Sequence, residues 1–102
     1  MLTPEKRIQN EIIKYLDYLE TFDYPIIYER RQAGGGSYRK GKPDLYAIIN
    51  GIHLEIEVKA PDGSLSTLQE KWRDRFIKRN VRWICVDNIN DFKKYIKENH
   101  LL

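Results

Sequence analysis

With 102 residues the chain has room for one domain around a single core, residues 1–102, and not for two. A hydrophobic content of 41% and an aromatic content of 12% exclude an intrinsically disordered chain, and the single cysteine, Cys85, excludes an internal disulfide and any multi-cysteine zinc site. Eighteen Lys and Arg stand against 15 Asp and Glu, a net charge of only +3, so the placement of charge has to identify a partner.

Thr3 followed by Pro4 marks a helix start, with Thr at the N-cap and Pro in the first turn. Ile8, Ile12, Tyr15, Leu16 and Leu19 then form a helical apolar stripe that ends near Asp23-Tyr24-Pro25. Residues 26–30 read as a short strand, and 31–43 as a loop rich in glycine and basic residues. A hairpin follows, and then a turn at Pro61-Asp62-Gly63-Ser64. A second helix is predicted over 66–79, burying Leu68, Trp72, Phe76 and Ile77, with Asn80 as its C-cap. Residues 81–86 form a strand in which Cys85 reads as a small buried hydrophobe. Residues 90–98 form a last helix that packs Phe92 and Ile96. The order α-β-β-β-α-β-α predicts an α/β fold, a small mixed sheet flanked by helices. The β-α-β unit after the hairpin makes its two strands parallel, with a right-handed crossover.

The hairpin carries the densest information. Asn50-Gly51 is a strong signal for a two-residue type I′ turn. With those two residues as the loop, Ile49 faces Ile52, and the same register sets Asp44 opposite Glu57. Alternation places Leu45, Ala47, Ile49, Ile52, Leu54, Ile56 and Val58 on one wholly apolar face. Asp44, Tyr46, Ile48, His53, Glu55, Glu57 and Lys59 share the other. Directly opposed Cβ atoms lie about 4.5–5.5 Å apart, so two like charges there repel unless a cation sits between them. A divalent cation is the natural candidate. Glu55 falls opposite Tyr46, which suits a hydrogen-bonding or solvated role better than direct ligation.

Pro43-Asp44, an apolar strand and then Glu57-Val58-Lys59 resemble the signature of the PD-(D/E)XK nuclease superfamily. The wider set is similar to one branch, the VRR-NUC domain of viral and phage type. Its pieces are Pro4-Glu5 with Ile8-Gln9 in the first helix, Gly41 and Pro43-Asp44, Glu57-Val58-Lys59, and Leu65-Ser66 with Gln69. Together they run from residue 4 to about residue 86. The resemblance implies a restriction-endonuclease-like core and a phosphodiester hydrolase that leaves a 5′-phosphate and a 3′-hydroxyl. It also implies catalytic positions at Asp44, Glu57, Lys59, Gln69 and Glu5. Because this loop is unusually rich in glycine and basic residues, its contact with DNA does not follow from the resemblance.

The chemistry suits the residue types. Hard oxygen donors hold Mg²⁺ or Mn²⁺ better than nitrogen or sulfur does. Asp44 and Glu57 supply two, and the Val58 carbonyl is a candidate third. Lys59 is placed to orient water or to stabilise charge that develops on the phosphate. Glu5 lies in a helix's first turn, where an acid is also favoured by the helix dipole, and Glu11 is the alternative acid. Ser66 with Gln69 also fits a capping box, which competes with a site role for Gln69. His53 and His100 are too far apart in sequence to make a local zinc motif.

The segment from Gly36 to Lys42 matches most of a phosphate-binding P-loop. However, Pro43 stands where Ser or Thr is required, and the segment feeds a strand instead of a helix, so a nucleotide cofactor is not expected. Arg31, Tyr38, Arg39, Lys40, Lys42, Lys71 and Arg75 are the candidate DNA contacts, with Tyr38 as a stacking residue. The expected activity is Mg²⁺- or Mn²⁺-dependent endonucleolytic cleavage of DNA. Stand-alone VRR-NUC domains resemble Holliday-junction resolvases, and that resemblance implies selectivity for branched substrates through a homodimer. The alternatives are a flap or restriction-type nuclease, or a non-catalytic DNA-binding module that keeps the fold. With no membrane-length apolar run and no signal-peptide pattern, an intracellular location is expected, in the cytoplasm of a bacterial or phage-infected cell.

Overall fold

Thr3 caps the first helix as expected. Its hydroxyl accepts from the Lys6 amide at 3.1 Å, and Pro4 occupies the first turn of α1, Pro4–Glu20. The computed structural model describes residues 2–31 and 40–102. Ile8, Ile12, Leu16 and Leu19 of α1 are buried, and Tyr15 packs at the margin, edge-on to Phe92. The remaining elements are β1 (Ile26–Arg30), β2 (Leu45–Ile49), β3 (Ile52–Val58), α2 (Thr67–Lys78), β4 (Arg82–Val86) and α3 (Ile89–Glu98). The element order is the predicted one.

The four strands form one sheet in the order β1-β2-β3-β4. β1, β2 and β3 are antiparallel neighbours, and β4 runs parallel to β3. Asn50 and Gly51 take positive φ values of 51° and 80°, the type I′ turn that the Asn-Gly pair favours. This fixes Ile49↔Ile52 through to Leu45↔Ile56. Leu45, Ala47, Ile49, Leu54, Ile56 and Val58 are buried against Ile84, Val86 and the apolar stripes of α1 and α3, which cover the same face of the sheet.

The second helix departs from expectation. Its capping box forms, with Ser66 and Gln69 bonded reciprocally at 2.8 and 3.2 Å, but none of its residues is fully buried. Trp72 and Phe76 are half-buried, while Leu68 and Ile77 are exposed. Helical spacing of apolar residues predicted a core stripe; the helix instead lies beside β4, with its apolar residues only partly covered. Arg79 is the C-cap and Asn80 follows at φ 62°, one position from the predicted cap. Cys85 is exposed, contrary to expectation. In the run Trp83-Ile84-Cys85-Val86 only Ile84 and Val86 point to the core, and Cys85 pairs with Glu57 on the opposite face.

Gly41 seats the chain on α2 just before β2 begins. Its φ is +90°, and a Cβ there would lie 2.7 Å from Leu68 Cβ and 2.9 Å from the Leu68 carbonyl carbon. Gly41→Ala should therefore cost about 2 kcal/mol or more. Gly51→Ala, at φ +80° but facing open space, should cost only the backbone term, about 1 kcal/mol. Thermal melting of the two variants checks the order.

Candidate active site

The site is built where the hairpin strands end. One step beyond the Leu45↔Ile56 pair, the register brings Asp44 across from Glu57. Glu57 is 1% exposed, and its Oε1 is buried without a hydrogen-bond partner. Burial, followed by the neighbouring Asp44 carboxylate, raises the Glu57 pKa from 4.5 to about 8, against the opposing influence of Lys59 and of the Val58 backbone. The Asp44 carboxyl is raised too, by burial first and then by Glu5, while Lys6, Lys59 and Arg30 act in the other direction. These mutual influences place Glu5, Asp44, Glu57 and Lys59 in one electrostatic neighbourhood. Glu11 is exposed on α1 and is absent from it.

Sequence reasoning quoted Gln9 but gave it no role. It is buried, and its Nε2 donates to Asp44 Oδ2 at 3.0 Å across 35 positions of sequence. The signal was present: Gln9 lies one helical turn after Glu5 and beside the Ile8–Ile12 stripe, a polar residue at the margin of a buried face. The bond fixes which oxygen of Asp44 is occupied.

Lys59 is half-buried, and its amide donates to the Val86 carbonyl at 3.0 Å. It lines a cleft of about 300 Å³ together with Pro61, Leu65, Cys85, Asp87 and Asp91. Among the described residues no cluster of three or more carboxylate, imidazole or thiol side chains forms a ready metal cage. The orphaned Glu57 Oε1 beside a second carboxyl nevertheless fits a hard divalent cation, whose remaining positions would go to backbone carbonyl or water. Asp44 and Glu57 are the side chains that would hold it, with the Val58 carbonyl as a third candidate.

No family model and no curated protein matches the chain. A solved structure described as a VRR_NUC domain matches it with a TM-score of 0.75, over 94% of this chain and 97% of that one, at 24% identity. The chain has the VRR_NUC fold. That likeness accounts for the mixed sheet, its flanking helices and their order.

The other predicted residues of this VRR_NUC fold separate into groups. Arg31, expected at the DNA, is engaged internally: its guanidinium makes two bonds to Glu55, at 2.6 and 2.9 Å, and a third to the Pro43 carbonyl at 2.9 Å, with 10% of the side chain exposed. Glu55, 1% exposed, also bonds His53 Nε2 at 2.5 Å, and the His53 ring stacks on Tyr46. The hydrogen-bonding role expected for Glu55 is what the geometry gives. Lys40, Lys71 and Arg75 are exposed, and Lys42 is half-buried over Trp72. Gln69 spends its Oε1 on the capping box. Tyr38 and Arg39 lie outside the described residues.

Proposed function

We propose that this chain is a metal-dependent endonuclease that hydrolyses DNA phosphodiester bonds, with Asp44 and Glu57 as metal ligands and Lys59 as the catalytic cation. The observation that carries the reading is the buried, unpartnered Glu57 Oε1 beside Asp44. An acid held this way destabilises the metal-free fold, and a bound dication turns that cost into affinity. When bound, Mg²⁺ or Mn²⁺ supplies Lewis acidity toward a phosphate oxygen and acidifies a water. The chain's own residues do the rest. Gln9 orients Asp44 through its Oδ2, and Glu5 adds negative charge at the same end of the site. Lys59 lies close enough to influence both carboxyls, and its ammonium stabilises charge developing on a phosphate bound beside them. The products are a 5′-phosphate and a 3′-hydroxyl. The likeness to a VRR_NUC domain supports this reading at the level of fold.

Selectivity for branched DNA fits a homodimer. Strand β1 is an edge of the sheet, with Ile27 65% exposed, and Tyr18, Phe22 and Tyr24 are also exposed at the α1–β1 connection. These residues are the surface we assign to a second copy. A non-catalytic DNA-binding module is the less economical reading, since a binding module gains nothing from an uncompensated buried acid.

Four-way junction, flap, single-stranded and fully paired DNA, each with Mg²⁺, Mn²⁺ or EDTA, test the proposal. Cleavage is expected with metal and not with EDTA. Lys59→Ala should lower kcat on the order of 10²–10³-fold while Mn²⁺ binding is retained. Symmetric nicking of junctions supports the dimeric resolvase, and DNA binding without cutting on any substrate overturns the enzyme.

A further inference from the structure

We infer that Trp72 is a stacking platform for an unpaired nucleobase, so that the DNA bound at this site presents a single-stranded nucleotide beside the scissile phosphate. The inference rests on the nuclease reading for the identity of the ligand and deepens it by naming the substrate class.

Four features of α2 and the chain that precedes β2 converge on this ring. Trp72 is only half-buried, and its one polar atom is anchored: Nε1 donates to the Lys40 carbonyl at 3.2 Å, which fixes the indole's orientation. Its ring carries cations in place of core side chains. The Arg75 guanidinium carbon lies 4.2 Å from the ring centroid and Lys42 Nζ lies 5.2 Å away. A second aromatic, Phe76, continues the surface at 5.7 Å, one helical turn along. Finally, α2 bears Lys71, Arg73, Arg75 and Lys78 against Glu70 and Asp74, while Leu68 and Ile77 stay exposed.

A helix whose aromatic residues served only packing would bury Leu68 and Ile77 and surround the indole with apolar atoms. A ring held in place at the surface with two cations lying over it is suited to a polyanion that also has flat faces: a base that stacks on the indole displaces a cation onto its own phosphate. Single-stranded nucleic acid is such a ligand: its phosphates take the cations and its base takes the ring. A paired duplex offers the phosphates and keeps its base faces stacked inside, so it gains from Lys42 and Arg75 but not from the indole. The position relative to the acids is also suitable. Lys42, whose ammonium lies over the ring, precedes Asp44 by two residues, at most about 7 Å of chain, so the segment that touches the platform leads directly into the carboxyl pair. Stacking tolerates any base, so the discrimination is by DNA structure and not by sequence.

The chain has two tryptophans, so Trp83→Phe leaves Trp72 as the only indole emitter. In EDTA, an oligothymidylate should quench that emission saturably, and a blunt duplex of equal length should quench it little. Trp72→Leu should weaken single-strand binding at least tenfold and duplex binding less than twofold, and Trp72→Phe should retain most of the single-strand affinity. Lys42→Ala and Arg75→Ala should weaken both ligands and lower the salt slope by about one each. Equal losses on both ligands for Trp72→Leu, in protein shown by melting to be folded, overturn the platform, as does single-strand binding without quenching. If oligothymidylate quenches Trp72 but no DNA is cut with Mg²⁺ or Mn²⁺, the nuclease reading fails and the platform stands. If DNA is cut and Trp72→Leu cleaves flap and paired substrates as wild type does, the platform fails and the nuclease stands.

Discussion

Asp44→Asn and Glu57→Gln should each reduce cleavage by at least a thousandfold and, in the metal-free protein at pH 8, raise the melting temperature. Most substitutions destabilise a protein; here the opposite sign follows from the site. The Glu57 pKa rises from 4.5 to about 8 on folding. Between those values the folded state holds the proton and the unfolded state does not, so stability falls as pH rises through the window. At about 1.4 kcal/mol per unit the loss is on the order of 4 kcal/mol by the top of the window. Asp44, also raised, contributes in the same direction. Glu57→Gln removes the larger of the two titrations, so its melting temperature should fall less than that of wild type from pH 5 to 8 and should exceed wild type at pH 8 by about 15 °C or more. Mg²⁺ or Mn²⁺ should raise the wild-type melting temperature at pH 8 and leave both variants almost unmoved. Scanning calorimetry across pH, with and without metal, reads all of this. A variant that melts well below wild type at pH 8 counts against the ligand assignment.

The opposite result is expected two strand positions away. Glu55 is as buried as Glu57, but Arg31 and His53 satisfy its oxygens. Arg31→Ala leaves that carboxylate in the interior without its guanidinium and should cost about 3–5 kcal/mol, lowering the melting temperature by about 15 °C or more. Arg31→Lys should not rescue it, because an ammonium cannot reproduce the two-bond fork. Arg31→Met combined with Glu55→Gln should recover most of the loss, since the charge and its partner leave together. Should Arg31→Ala melt like wild type while losing DNA affinity, Arg31 belongs at the DNA surface after all.

These two acids show how far the sequence could be read. Alternation and the Asn50-Gly51 turn put Glu55 and Glu57 on one face and set the register that aligns Asp44 with Glu57, because both follow from local rules with a period of two. Which acid is paired and which is left alone depends on Arg31, 24 positions upstream of Glu55, and no local pattern carries that information. The reach of Gln9 to Asp44 is hidden for the same reason. The α2 error has a different origin: apolar spacing reports which side chains share a helix face, not whether anything covers that face. Cys85 was misplaced because a continuous apolar run obscures the alternation that assigns it to the polar side.

The link between Gln9 and Asp44 also bears on the order in which the molecule becomes competent. The two acids belong to a tight reversal of the chain and can meet early, at small entropic cost. Aiming Asp44 requires α1, which carries Gln9 35 positions upstream, to have docked against the sheet, a longer closure than that of the hairpin. On the proposed function, a half-folded chain would hold both acids without the clamp that directs one of them, and cleavage would await the completed interior.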